Sequence, residues 1–78
     1  MNRLERLVLD AIQQHGPDAL MLADIRPYVK ARRWLWLGYG ALYVALARLE
    51  RDGLVTSRWS EERTVGGLRR RLYSAAVN

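Results

Sequence analysis

Residues 40–59, GALYVALARLERDGLVTSRW, decide the fold of this chain because the spacing of their apolar residues changes midway. The first part predicts a helix over residues 39–52, with the three-and-four spacing of a stripe that packs against a core. The stripe consists of Leu42, Leu46 and Leu49, with Tyr39 or Tyr43 beside them. Gly53 stands where a left-handed C-terminal cap belongs. Apolar and polar residues then alternate over residues 54–59, which predicts a strand.

A second alternating segment, residues 68–73 (LRRRLY), predicts the partner strand. The two strands are joined across Glu61 to Gly67, so we expect a hairpin whose loop is longer than the tightest type. Alternation places Arg69 and Arg71 on one face of the hairpin and Arg70 on the other.

Two further helices precede these elements. Residues 2–15 predict an amphipathic helix that begins with a capping box of Asn2 and Glu5 and ends at Gly16. Its apolar face holds Leu4, Leu7, Val8, Ala11 and Ile12. The second helix is expected from Ile25 to Arg33, with Asp24 as its N-cap and Pro27 early enough to break no hydrogen bond. It would bury Ile25, Tyr28 and Val29.

This order of elements predicts an α+β domain over residues 1–78, a winged helix-turn-helix of three helices followed by a two-stranded β-hairpin. In such a domain the third helix fits the DNA major groove, and the hairpin, or wing, lies along the neighbouring backbone. We therefore expect a DNA-binding regulator of transcription.

Composition supports a nucleic-acid partner. The chain has 13 Lys+Arg against 8 Asp+Glu, a net charge of +5, and twelve of the thirteen basic residues are arginine. A domain this basic is typical of nucleic-acid binders, and the arginine side chain matches phosphate and guanine geometry. An acidic protein partner would also suit the charge.

Cellular location is constrained by what the sequence lacks. There is no cysteine, which excludes disulfides and thiolate metal sites. The N-terminus does not have the pattern of a signal peptide, and no apolar run approaches the ~20 residues that cross a bilayer. We expect a cytoplasmic protein with no membrane contact.

Contacts with double-stranded DNA are predicted on the third helix and on the hairpin. Tyrosine hydroxyls and the free N–H groups at the helix start suit phosphates, while small residues allow close approach to the duplex. The predicted DNA-binding residues are Tyr39, Gly40, Ala41, Tyr43, Val44, Ala47, Arg48, Arg58, Arg63, Arg69 and Arg71. The helix carries no Asn or Gln to read adenine, so we expect backbone contacts to outweigh base reading.

Catalysis and cofactors are not indicated. His15 is the only histidine and ends a helix, and Glu61 and Glu62 fall in the wing loop. Aspartates show no metal-ligand spacing, and the Gly66-Gly67 pair lacks the lysine and following helix of a phosphate loop. We expect no enzymatic activity, no metal site and no cofactor.

The stretch 38–59, followed by RRRLYSAA at 69–76, resembles the PadR family of winged-helix transcription regulators. The matching residues are Gly40, Leu42, Tyr43, Leu46, Leu49, Glu50, Gly53, Leu54 and Val55, then Arg71 and Tyr73. The resemblance implies DNA contacts by Tyr43 and the wing arginines. Family members usually carry proline where this chain has Val44, and they dimerise through a long C-terminal helix. The sequence ends at Asn78, so we expect no such helix here.

An alternative function uses the same fold to hold a protein partner. Trp34 and Trp36 follow the second helix, and large exposed apolar groups usually mark contacts. They, or the first helix through Leu9, could also form a homodimer. Packing of one or both tryptophans over the turn between the second and third helices is the simpler interpretation.

Overall fold

The structure is a computed structural model, and it describes residues 1–32, 37–63 and 66–76. The elements are helices α1 (Arg3–His15), α2 (Arg26–Arg32) and α3 (Tyr39–Arg51), and strands β1 (Ala19–Leu20), β2 (Val55–Arg63) and β3 (Arg69–Ala75). A π-helical turn, Met21–Ile25, runs directly into α2. The predicted α+β class, with three helices followed by a hairpin, is confirmed.

The start of α1 and the end of α3 are fixed by the local hydrogen bonds that the sequence predicted. The Glu5 N–H donates to Asn2 Oδ1 at 2.8 Å while the Glu5 carboxylate accepts from the Asn2 N–H, which is the predicted capping box. At the end of α3, Gly53 has φ +77°, and the Leu54 N–H donates to the Leu49 carbonyl at 2.9 Å. This pairing satisfies a carbonyl that the last turn of the helix leaves open.

The second helix does not begin as expected. Helical structure starts at Met21 rather than Ile25, and Asp24 lies inside the first turn instead of capping it from outside. Asp24 Oδ2 accepts from the Leu20 N–H at 2.7 Å, so the carboxylate satisfies a free donor just before the helix. Because helical structure begins at Met21, Pro27 lies beyond its first turn and not within it as the sequence predicted.

The sheet has three strands in the order β1-β3-β2, and not two as the sequence predicted. Ala19 and Leu20 pair antiparallel with Tyr73 and Leu72. A segment of two residues has no detectable alternation, which is why β1 was not foreseen. Both hairpin strands also run past their predicted ends, and β2 reaches Arg63 across an irregular register after Trp59.

One core lies between the three helices and one face of the sheet. Its largest fully buried side chains are Val8, Ile12, Ile25, Val29, Leu42, Leu46, Leu49 and Val55. Each contributes about 1.5–3 kcal/mol relative to leaving it exposed. Ala19 and Tyr73 close the core from the sheet, and burial raises the pKa of the Tyr73 phenol, with Arg71 acting in the opposite direction. Leu9, through which the sequence predicted a possible dimer contact of α1, is half-buried and packs partly against this core, and the dimer stays a prediction.

Candidate nucleic-acid interface

The exposed face of α3 consists mostly of uncharged residues. Leu42, Ala45, Leu46 and Leu49 turn inward, which leaves the opposite side of the helix to solvent. All seven residues predicted on this helix are exposed: Tyr39, Gly40, Ala41, Tyr43, Val44, Ala47 and Arg48. The structure therefore brings these seven onto one solvent-facing surface, but Tyr39 and Tyr43 are not in the core stripe beside which they were placed.

No contact within the described structure requires glycine at position 40. Its φ is ordinary for a helix, and a Cβ built there would meet no atom within 4 Å. Any requirement for glycine at this position must come from something that approaches the helix from outside. Close approach of a duplex to the backbone is one such requirement.

The start of α3 is more positive than the sequence suggested. Gly38 is the N-cap and gives no side-chain hydrogen bond to the first turn, so the free N–H groups stay open. Arg26 at the start of α2 places its guanidinium 4.8 Å from the centre of the Tyr39 ring and reaches the Leu37 carbonyl at 3.5 Å. Arg26 was not among the predicted site residues, because only the packing of α2 against the turn before α3 brings it there.

The two arginines late in α3 are both beside carboxylates. Arg48 Nη1 lies 3.9 Å from Oε2 of Glu5, which is buried, and Arg51 Nε lies 3.2 Å from Asp52 Oδ1. The Arg51–Asp52 pair is exposed and such pairs stabilise little, so the Arg51 guanidinium can turn to a phosphate at small cost. Arg48 is exposed, but turning it away would leave the buried Glu5 carboxylate without its cation. Both arginines lie near the C-terminal end of the exposed face of α3 and not at its centre.

A polar network fixes the hairpin against α3. The Ser57 hydroxyl lies 3.0 and 2.8 Å from the two carboxylate oxygens of Glu50, and it accepts from Arg71 Nη2 at 2.8 Å. Arg71 also stacks its guanidinium 4.9 Å from the centre of the Trp59 ring. Arg71 thus ties the wing to the third helix, a role that the sequence did not show.

The wing arginines lie on two faces of the sheet. Trp59 pairs with Arg71 on the face that holds buried Tyr73, whereas Arg58 pairs with Leu72 on the opposite face. Arg58 Nη2 contacts Asp18 Oδ2 at 2.7 Å, and this hydrogen bond raises the pKa of the Arg58 guanidinium. Arg58 is therefore separated from the exposed face of α3 by the thickness of the sheet.

Two arginines brace the outer part of the hairpin through main-chain carbonyls. Arg63 Nη1 donates to the Gly67 carbonyl at 2.9 Å, and Arg69 Nε donates to the Ser60 carbonyl at 2.7 Å. The two residues face each other across the strands. Both are exposed and each keeps further N–H groups for an anion, since a guanidinium has five donors.

Trp34 and Trp36, on which the partner-binding alternative rests, lie outside the described residues, so that alternative stays a prediction. His15 Nε2 contacts Asp24 Oδ1 at 3.3 Å and anchors the end of α1. Over residues 1–32, 37–63 and 66–76, no group of three or more His, Cys, Asp or Glu could hold a metal ion. The helices within these ranges include none that is long and apolar enough to span a membrane.

Comparison with known proteins agrees with this geometry. The model of the transcriptional regulator PadR-like family matches residues 23–76, which is more than half of the chain. The crystal structure of a PadR family transcription regulator from Clostridium difficile superposes with a TM-score of 0.69 at 26% identity, over 96% of this chain and 73% of that one. No curated protein matches. The expected winged-helix fold is thereby confirmed, and the chain belongs to the PadR-like family of transcriptional regulators.

Proposed function

We propose that this protein regulates transcription by laying α3 in the DNA major groove and the arginine-bearing hairpin against the adjacent backbone. The observation that carries the proposal is the continuity of these surfaces. The exposed face of α3 is locked to the hairpin by the Glu50–Ser57–Arg71 network, so both can engage one duplex in a fixed geometry. Residues 1–78 act as one domain in this proposal, and their place of action is the cytoplasm.

The proposed DNA contacts are of two kinds, close packing in the major groove and binding of phosphates. Gly40, Val44 and Ala47 form the centre of the helix surface and allow close entry into the groove. Phosphates are bound at the helix start and by Arg63 and Arg69 of the wing, where N–H groups and guanidinium charge are available. Base reading is limited to apolar contacts along the helix centre, so DNA shape contributes to sequence preference.

Duplex binding is expected to weaken steeply as salt rises. Neutralising about four phosphates gives a slope near −3.6 in log K against log salt, or about a 150-fold loss of affinity from about 50 to about 200 mM salt. Fluorescence anisotropy of a labelled duplex at several salt concentrations measures the slope. Absence of duplex binding even at the lowest salt concentration would rule out the proposal.

A matched pair of neutralised arginines locates the interface on the sheet. We expect Arg69→Gln to reduce the salt slope by about one and to weaken binding roughly uniformly across sequences, because one phosphate contact is lost. Arg58→Gln removes the same charge from the opposite face, where Asp18 already neutralises it. Its slope should equal that of the unmodified protein.

The sequence predicted Arg58 as a DNA contact, and this pair tests that prediction as well. If Arg58→Gln lowers the slope as much as Arg69→Gln, the duplex contacts both faces of the hairpin. If only Arg58→Gln lowers it, the duplex lies on the other side of the sheet, and α3 cannot be the helix that enters the major groove.

A further inference from the structure

An open groove runs between α3 and the hairpin on the side of β1. We call it the α3–β3 groove and define it by Leu22, Tyr39, Tyr43, Ala47, Trp59 and Arg71. Its volume is about 1030 Å³, at the upper end of the range for small-molecule pockets, and it is open to solvent along its length. The helix supplies one wall, and β3 with the π-helical turn supplies the other.

Most of the large apolar side chains that the described structure exposes converge on this groove. They are Leu22, Tyr39, Tyr43, Trp59 and Leu68. Leu22 and Tyr43 are each 59% exposed, although the core lies directly beneath them. Soluble domains rarely collect such residues on one concave surface without a binding partner.

The groove also borders an open strand edge. β1 is only two residues long and pairs with Tyr73 and Leu72, so it stops short of the outer half of β3. Among the described residues, no strand lies beside residues 69–71 on that side. Main-chain groups along such an edge can pair with an added strand from another molecule.

Charge decides what kind of strand fits. The open edge consists of Arg69, Arg70 and Arg71, and the whole chain carries +5, so a second copy of this chain would be repelled. A nucleic acid would gain nothing from the aliphatic wall at Leu22 or from main-chain pairing. An extended peptide in which apolar and acidic residues alternate fits the apolar wall on the α3 face, Arg70 on the opposite face and the open edge together.

We infer that the α3–β3 groove binds an extended segment of a partner protein in which apolar and acidic residues alternate. The segment adds to β3 as a strand, places its apolar side chains toward Leu22 and Tyr43, and presents its carboxylates to Arg70 on the opposite face of the sheet. Because Tyr39, Tyr43 and Ala47 belong to both surfaces, the bound segment excludes DNA from α3. This last step rests on the proposed function; strand addition does not.

The probe is a capped peptide of about eight residues with alternating valine and glutamate, an ordinary strand length. Added to the ¹⁵N-labelled protein, it should shift the amide signals of residues 69–71 and the Trp59 indole, and slow hydrogen exchange at that edge. It should also displace a labelled duplex. Replacing glutamate by glutamine should weaken binding about tenfold, as should collecting all glutamates at one end.

Two variants separate the groove from the rest of α3. Leu22→Ser removes an apolar contact outside the proposed DNA interface and should weaken peptide binding about tenfold, with duplex affinity unchanged. Val44→Ser alters an equally exposed side chain that does not line the groove, and peptide binding should stay the same.

Several results would overturn the inference. The proposed site would be ruled out if the alternating valine–glutamate peptide, its glutamine version and the version with all glutamates at one end bound equally. Amide shifts confined to residues outside the groove would rule it out as well. Shifts at Leu22 on adding duplex alone would reassign the groove to the DNA backbone. Peptide bound at residues 69–71 with the duplex still in place would refute exclusion. If the protein binds no duplex, the proposed function fails, and the amide shifts still decide strand addition.

Discussion

Ala47→Glu is expected to lower duplex affinity by at least ~100-fold without unfolding the protein. Ala47 lies on the exposed side of α3 between Tyr43 and Arg51, where the proposed geometry brings the helix closest to the base pairs in the DNA major groove. A carboxylate there faces the negative potential of the duplex and occupies space that the methyl group leaves free. Like-charge contacts at an interface cost several kcal/mol, and each 1.4 kcal/mol is tenfold in affinity.

Folding should be unaffected by this change. Glutamate forms helices nearly as well as alanine, and one placed four residues before Arg51 gains a favourable charge pair on the helix surface. Gln13→Glu is the matched control, since it adds the same charge at an exposed position of α1. Anisotropy titrations with both variants, alongside thermal melts, separate the two effects. Equal affinities for both variants would show that α3 does not enter the DNA.

The sequence was sufficient wherever the deciding interactions are local. The capping box of Asn2 and Glu5 spans three residues, and Gly53 needs only its own backbone conformation and the helix before it. The leucine stripe of α3 follows from helical periodicity alone. For the same reason most exposed residues of α3 were predictable, because they are what remains once the buried stripe is known, although Tyr39 and Tyr43 had been placed beside that stripe.

Contacts between distant segments were not predictable. β1 exists because Ala19 meets Tyr73 across the core, and a two-residue strand has no period of its own. Alternation correctly separated Arg70 from Arg69 and Arg71, but the partner of Arg58 is Asp18, forty positions earlier. Arg26 and Trp59 joined the candidate surfaces through tertiary packing alone. Their residue types were visible in the sequence, whereas their neighbours were not.

Leu42→Ala is expected to cost about 2–5 kcal/mol of the free energy of unfolding, which is a large part of the stability that a domain of this size has. Leu42 is fully buried on the inner side of α3, in the core shared with α1 and the sheet. Truncation removes apolar contacts and leaves a cavity that close-packed neighbours fill only partly. A small domain buries too little surface elsewhere to compensate.

Val44→Ala is the control two positions away on the same helix. Val44 is 52% exposed, and alanine is the better helix former, so stability should be unchanged or slightly higher. Thermal unfolding followed by circular dichroism should show Leu42→Ala lowering the Tm by roughly 10–25 °C. If that variant is unfolded at every temperature, Leu42→Val, which removes one methylene and costs about 1 kcal/mol, gives a measurable Tm. If both Leu42 variants had the same Tm as the unmodified protein, Leu42 would have to lie outside the core.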